Sequence, residues 1–216
     1  MINENNLPNA IVEAVSRLQD KGFNHGNSGN VSRRISGGML ITPTGANSSN
    51  LTPERLVHVD PHGAVMSEGI PSSEWHMHAA ILDAYPTANA VIHTHADACV
   101  ALACLRKPLP SFHYMVAAFG GTDVRCARYA TFGTNDLGTS AVEALKDRTA
   151  CLLANHGMIA IGKTLEAAFQ TTVKLETLAR QYLMALQVGE PALLPEAEME
   201  RVGKRYGNYG TGLLPG

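Results

Sequence analysis

Two short apolar runs constrain this chain more than any other feature: AVI at 90–92, which continues into HTH, and CLLA at 151–154, which continues into NHG. Neither alternates apolar with polar residues, and neither is long enough for a helix, so each reads as a strand buried in a sheet. Stretches of helical period separate such runs. Residues 6–21 carry Ile11, Ala14, Val15 and Leu18 at helical spacing and stop at Gly22. Residues 74–85 follow a Ser72-Ser73 start and end before Pro86, and 97–105 and 135–147 also read as helices. The longest, 164–188, places Leu165, Ala168, Thr172, Leu175, Ala179, Tyr182 and Leu186 on one face. Short β-like runs fill the intervals: NVSRRI and MLITPT around Gly37-Gly38, residues 56–60, and segments near 112–118 and 124–130. This alternation predicts one α/β domain over residues 1–216, with helices covering a sheet. Hairpin spacing at 29–42 and 151–161 predicts antiparallel pairing. After about residue 190 the Pro- and Gly-rich tail shows no period over its last residues, and is expected to be frayed or ordered by a neighbouring surface.

Composition removes whole classes of function. Among 216 residues, 17 are basic and 19 acidic, a net charge of −2, which gives no broad electrostatic grip on nucleic acid or an anionic membrane. No apolar stretch approaches the ~20 residues of a spanning helix. The start MINENNLPNA lacks the basic residues and apolar run of a signal peptide, so a cytoplasmic protein is expected. Cys99, Cys104, Cys126 and Cys151 form no CxxC pair and read as reduced, buried thiols without a catalytic role.

Chemistry gathers around the histidines. On a strand, residues i and i+2 point the same way, so His93 and His95 either present two imidazoles to one ion or are two surface residues near a strand end. His156 tips the balance, because it too ends a buried apolar strand, and strand ends converging on one sheet edge are where α/β proteins build sites. Three histidines leave a position open, as in catalytic rather than structural metal sites. A carboxylate could fill it, and Glu74 is the candidate, beside Ser72 and Ser73 at a helix start. Taken alone it reads equally well as an ordinary helix-start glutamate. His76 and His78 diverge around the same helix and cannot share one ion. His78 reads as core or as a support behind the site, His76 as surface. Three turns, GNSGN at 26–30, TPTG at 42–45 and PSS at 71–73, offer backbone N–H groups and hydroxyls that suit an anion such as phosphate. None matches a nucleotide-binding pattern.

In this order, GNSGNVS, ITPTG, PSSEWHMH, AVIHTHA, HYMVAAFGG, YATFGT and LLANHG resemble the class II aldolase/adducin family over about residues 8–190. The resemblance implies a three-layer α/β/α domain around a largely antiparallel sheet, in a cyclic homotetramer whose active sites lie between subunits. It implies one zinc ion per subunit, on His93, His95 and His156, with Glu74 as a fourth ligand and catalytic acid–base. Manganese or cobalt would also suit that donor set. It places phosphate binding on Gly29, Asn30, Thr44, Gly45, Ser72 and Ser73. Tyr114, from a neighbouring subunit, would handle the aldehyde oxygen, and a tail tyrosine, Tyr209 or else Tyr206, would act beside it.

The implied reaction is reversible cleavage of a ketose 1-phosphate, of the L-fuculose 1-phosphate kind, into dihydroxyacetone phosphate and a short aldehyde through a metal-stabilised enediolate. Sugar-phosphate epimerases, dehydratases and decarboxylases of the same family share the ligand set, and HYM followed by GG favours the aldolases. A non-catalytic, adducin-like interaction domain predicts eroded ligands, whereas His93, His95, His156 and Glu74 are intact.

Overall fold

The computed structural model describes residues 1–207. Helix α1 (Leu7–Asp20) is followed by β1 (Asn30–Ile35), β2 (Gly38–Ile41), β3 (Val57–Val59), α2 (Trp75–Ala84), β4 (Ala90–Thr94) and α3 (Asp97–Cys104). Then come β5 (Cys126–Ala127), α4 (Asn135–Leu145), β6 (Ala150–Leu153), β7 (Gly157–Gly162), α5 (Leu165–Val188) and α6 (Glu196–Gly207). The strands form one sheet in the order β3-β2-β1-β4-β7-β6-β5, antiparallel throughout except for β5 against β6.

Period-two alternation on the central strands sorts the core into two sides. Val91, Cys151, Leu153, Ile159 and Ile161 meet Met77, Ile81, Leu137, Ala141 and Leu145 of α2 and α4. On the opposite face, Val31, Ala90 and Ile92 meet α1 and the start of α5. Ala150, Leu152, Met158 and Ala160 meet α3 and the middle of α5 there. Because both faces are covered, the central strands need no polar alternation, which is why AVI and CLLA read as continuous apolar runs. The layered, largely antiparallel architecture is the predicted one. No helix among the described residues is long and apolar enough to cross a membrane.

Two segments depart from the sequence reading, and the tail through residue 207 takes the second of its two expected courses, ordered by a neighbouring surface. Residues 112–118 are not a strand: Tyr114–Phe119 is a 3-10 helix, opened by the His113 ring accepting from the Met115 N–H and closed by Gly120 at φ 100°. A local side-chain cap and a left-handed glycine outcompete a β preference that rests on few branched residues. The 124–130 segment yields the two-residue strand β5, joined to the sheet by parallel pairing with β6, and a lone antiparallel bridge between Val124 and Leu109. The tail beyond 190 folds back as α6, whose Met199 is buried in the same core cluster as Val116 and Phe119, while the Leu194 N–H donates to the Ser111 carbonyl. Only Cys99 and Cys151 are buried, with thiols pushed up by burial; Cys126 is half-buried and Cys104 exposed.

Register fixes where chemistry sits. Asn30, at the start of β1, stands opposite His93 near the end of β4, and His93 stands opposite Ile159 of β7. The β6–β7 turn carries His156 to the same sheet end. Two further turns are stitched there by a bridge between Pro43 and Pro71, with the Thr44 N–H donating to the Ile70 carbonyl and the Ser72 N–H to the Thr42 carbonyl.

Candidate metal centre and its cleft

His93 is fully buried, and its Nδ1 donates to the Met158 carbonyl across the sheet at 3.0 Å. That bond commits the proton to Nδ1 and leaves Nε2 with its lone pair. His95 lies one residue past β4, with its backbone N–H donating to the buried Asn24 amide oxygen. His156 is set by a tight turn in which Asn155 takes φ 54°, a left-handed conformation asparagine tolerates.

The three rings face one another like propeller blades, with centroids 4.8–5.0 Å apart and interplanar angles of 74–77°. Their nitrogens lie within 4.8 Å of one another, and the Nε2 atoms of His93 and His95 are 3.0 Å apart. Two nitrogens bound tetrahedrally to one zinc at about 2.05 Å would be roughly 3.3 Å apart, so little adjustment separates this cluster from a ligand set.

Glu74 completes the group. It occupies the N-cap position of α2 without capping it, because its side chain turns into the sheet end. Its Oε2 lies 3.2 Å from His93 Nε2 and accepts from Asn30 Nδ2 at 2.9 Å, and its Oε1 lies 3.3 Å from His156 Nε2. Oε1 is buried without a hydrogen-bond partner. A buried carboxylate oxygen left unsatisfied among imidazole lone pairs is costly unless a cation joins them. The donor set of three nitrogens and one carboxylate therefore fits a divalent ion.

Electrostatics agree. Burial works to raise the Glu74 carboxyl, but the His93 ring, the Asn30 amide and the His156 ring outweigh it and hold the group well below the usual carboxylate range. Burial, then neighbouring imidazoles, pushes His95 and His156 down to about 4. At neutral pH these rings are uncharged, as metal ligation requires. His78 is fully buried and pushed down to about 3 by burial. It lies behind the site, while the half-buried His76 ring meets Trp75 at a tilt of 58° with centroids 3.7 Å apart.

A cleft of about 300 Å³ opens beside the histidines, and Gly29, Asn30, Thr44, Gly45, Ser72 and Ser73 all line it together with Glu74, His95 and His156. The structure thus brings into one cavity three turns that are far apart in sequence. It also adds Tyr129 and Phe132 at the rim, and Asn155. Sequence reasoning assigned these no role; the signal available was two aromatics in a polar, glycine-containing loop, YATFGT.

Tyr114 does not line this cleft in its own chain. It is 51% exposed on the 3-10 helix and stacks on His113. Tyr206 packs on the α6 side of the core beneath Lys174, away from the cleft, and Tyr209 falls outside the described residues.

Comparison with known proteins agrees with this geometry. The class II aldolase and adducin N-terminal domain model matches residues 9–183. The chain is 47% identical over 204 residues to the 5-methylthioribulose-1-phosphate/5-deoxyribulose-1-phosphate aldolase of Rhodospirillum rubrum, covering 94% of this chain and 92% of that protein. It is 42% identical over 207 residues to the L-fuculose phosphate aldolase of Escherichia coli O6:H1, covering 95% and 96% respectively. A solved L-fuculose 1-phosphate aldolase superposes with a TM-score of 0.90 at 36% identity, covering 95% of this chain and 98% of that one. Fold, ligand cluster and sequence similarity together make this chain a member of the class II aldolase and adducin family, and an enzyme of its metal-dependent aldolase branch.

Proposed function

We propose that the chain is a zinc aldolase that cleaves a ketose 1-phosphate reversibly into dihydroxyacetone phosphate and a short aldehyde. The observation carrying this reading is the meeting of a buried carboxylate and three facing imidazoles beside a cleft with a polar cradle. His93, His95 and His156 would hold a divalent ion, which would supply Lewis acidity to the substrate's carbonyl. The chain's own residues do the rest. Gly29, Asn30, Thr44, Gly45, Ser72 and Ser73 hold the phosphate with N–H and O–H donors near the start of α2. Glu74, whose Oε1 has no competing donor, moves the C3 proton. Tyr114 exchanges the proton of the aldehyde-derived oxygen.

Tyr114 is exposed and off the cleft in its own chain, which suits that role if a neighbouring subunit supplies it, so the assembly is a closed homotetramer with sites between subunits. Tyr209 is assigned to the aldehyde side of the same site. Manganese or cobalt is acceptable to this donor set. Four unpaired cysteines suit the reducing cytoplasm.

The relatives point to two kinds of substrate, L-fuculose 1-phosphate and the 5-deoxy- or 5-methylthio-ribulose 1-phosphates. We favour the first kind, with the aromatic rim of Tyr129 and Phe132 offering apolar surface to the far end of the aldehyde. The test is to incubate zinc-loaded protein with these ketose phosphates and with rhamnulose 1-phosphate, coupling released dihydroxyacetone phosphate to a reductase. Release from at least one is expected; silence from all overturns the reading. Native mass spectrometry returning only the 23.0 kDa monomer from active protein would remove the shared-site arrangement.

A further inference from the structure

From the cleft wall inward runs a chain of buried polar groups built from two periodicities. On β1, Asn30 and Ser32 point to the same face, toward α2. On the α2 segment, Glu74 and His78 are four residues apart and share a side. The His78 ring bridges them, with Nδ1 2.7 Å from Ser32 Oγ and Nε2 2.5 Å from Asn30 Oδ1. Asn30 Nδ2 then donates to Ser72 Oγ at 3.0 Å and to Glu74 Oε2 at 2.9 Å. Ser72 Oγ also accepts from the Glu74 backbone N–H at 3.3 Å.

The direction of every bond follows from one fact: an ionised carboxylate only accepts. Asn30 must turn its NH₂ toward Glu74, so its carbonyl oxygen faces His78. That oxygen can only accept, so His78 carries its proton on Nε2. A neutral ring then accepts at Nδ1, and Ser32 is the donor there. At the other end, Ser72 Oγ already accepts twice, so its own hydroxyl proton is free to point into the cleft.

We propose that His78 is a positioning residue for substrate phosphate: by anchoring the Asn30 carbonyl it fixes the amide's orientation, which aims Glu74 and leaves the Ser72 hydroxyl as a donor to the phosphoryl group. The inference rests on the aldolase reading only for the identity of that anion. Without the Nε2–H anchor, the Asn30 carbonyl is buried without a donor, and the side chain can swing off Glu74 and turn its oxygen toward the Ser72 hydroxyl. The serine then turns its proton inward, and the phosphate loses a donor.

Two measurements test this. Long-range proton–nitrogen correlation spectra of histidine-labelled wild-type protein should show His78 as the neutral Nε2–H tautomer; the Nδ1–H form overturns the proposal without any variant. Calorimetric titration of zinc-loaded protein with inorganic phosphate gives the second readout. His78→Gln keeps an N–H near the Nε2 position and should bind phosphate within about twofold of wild type. His78→Asn puts its amide near Nδ1, within reach of Ser32 but not of Asn30, and should bind at least about tenfold more weakly, the scale of one hydrogen bond to a charged group. Zinc content should be equal in all three. A merely structural histidine would lower the melting temperature of both variants and leave the phosphate affinity of the folded protein unchanged, so His78→Asn binding like wild type also overturns the proposal. If wild-type protein itself took no phosphate, the aldolase reading would be at fault, and the tautomer would still decide the relay.

Discussion

Replacing Glu74 with Gln separates proton transfer from metal binding, and the structure says how the amide must sit. Asn30 Nδ2 donates to Oε2, so the glutamine carbonyl takes that place and its NH₂ takes the place of Oε1, 3.3 Å from His156 Nε2. Shape and the Asn30 contact survive. What is lost is the difference between a charged and a neutral hydrogen bond, on the order of 1 kcal/mol, against which stands relief from burying a charge. Folding stability should therefore change by no more than about 1 kcal/mol. His93, His95 and His156 remain, and three histidines hold zinc in other catalytic sites, so zinc should stay near one per chain. Turnover should fall at least about 10²-fold, the low end for removing a general base. Metal analysis of the desalted protein and the coupled aldol-cleavage assay on the same sample read both quantities. His93→Ala, His95→Ala and His156→Ala should instead lose zinc and activity together. If Glu74→Gln released zinc as readily as those variants, the carboxylate would be chiefly a ligand. If turnover fell less than about tenfold, the base would be another group, with Tyr114 the first to examine.

Three further outcomes are expected. In metal-free protein the folded state lowers His78, His95 and His156 from 6.5 to about 3, 4 and 4, so between those values the unfolded chain binds more protons. Stability should accordingly be complete above about pH 6.5 and decline as pH falls toward 4; urea melts of chelator-treated protein at pH 7.5 and 5 check the sign, and zinc should delay the loss to lower pH. In Gly157→Ala the new Cβ would lie 2.4 Å from the Thr94 carbonyl oxygen and 3.1–3.2 Å from the His95 and His93 rings. Zinc affinity should drop at least about tenfold in competition with a chromophoric chelator, as when ligand-orienting groups are lost. Gly29→Ala combines φ +76° with a Cβ 2.3 Å from the buried Asn24 amide, so its urea midpoint should report a loss of roughly 2 kcal/mol or more.

What the sequence by itself determined is what local periodicity and residue chemistry encode. The apolar runs of β4 and β6, the helical stripe of α5 and the histidines ending two strands are readable because a strand alternates every two residues and a helix turns every 3.6. The seven motifs in order carried the family resemblance, and with it the proposed ligand set and the turns proposed to hold phosphate. Tertiary structure alone decided how these parts meet. Pairing of Asn30 with His93 and of Pro43 with Pro71 sets the distances between turns dozens of residues apart, and no local pattern contains a register. Gly157 reads as a turn residue, yet it is the first residue of β7 and is kept small by the Thr94 carbonyl across the sheet. Helix α6 packs into the same core cluster as the 3-10 helix at Tyr114–Phe119, a partnership invisible to a window of a dozen residues. His78 shows the division most clearly. Its helical phase marks it as facing inward, but which of its nitrogens holds the proton is settled by a carboxylate two hydrogen bonds away, through contacts that only the folded chain creates.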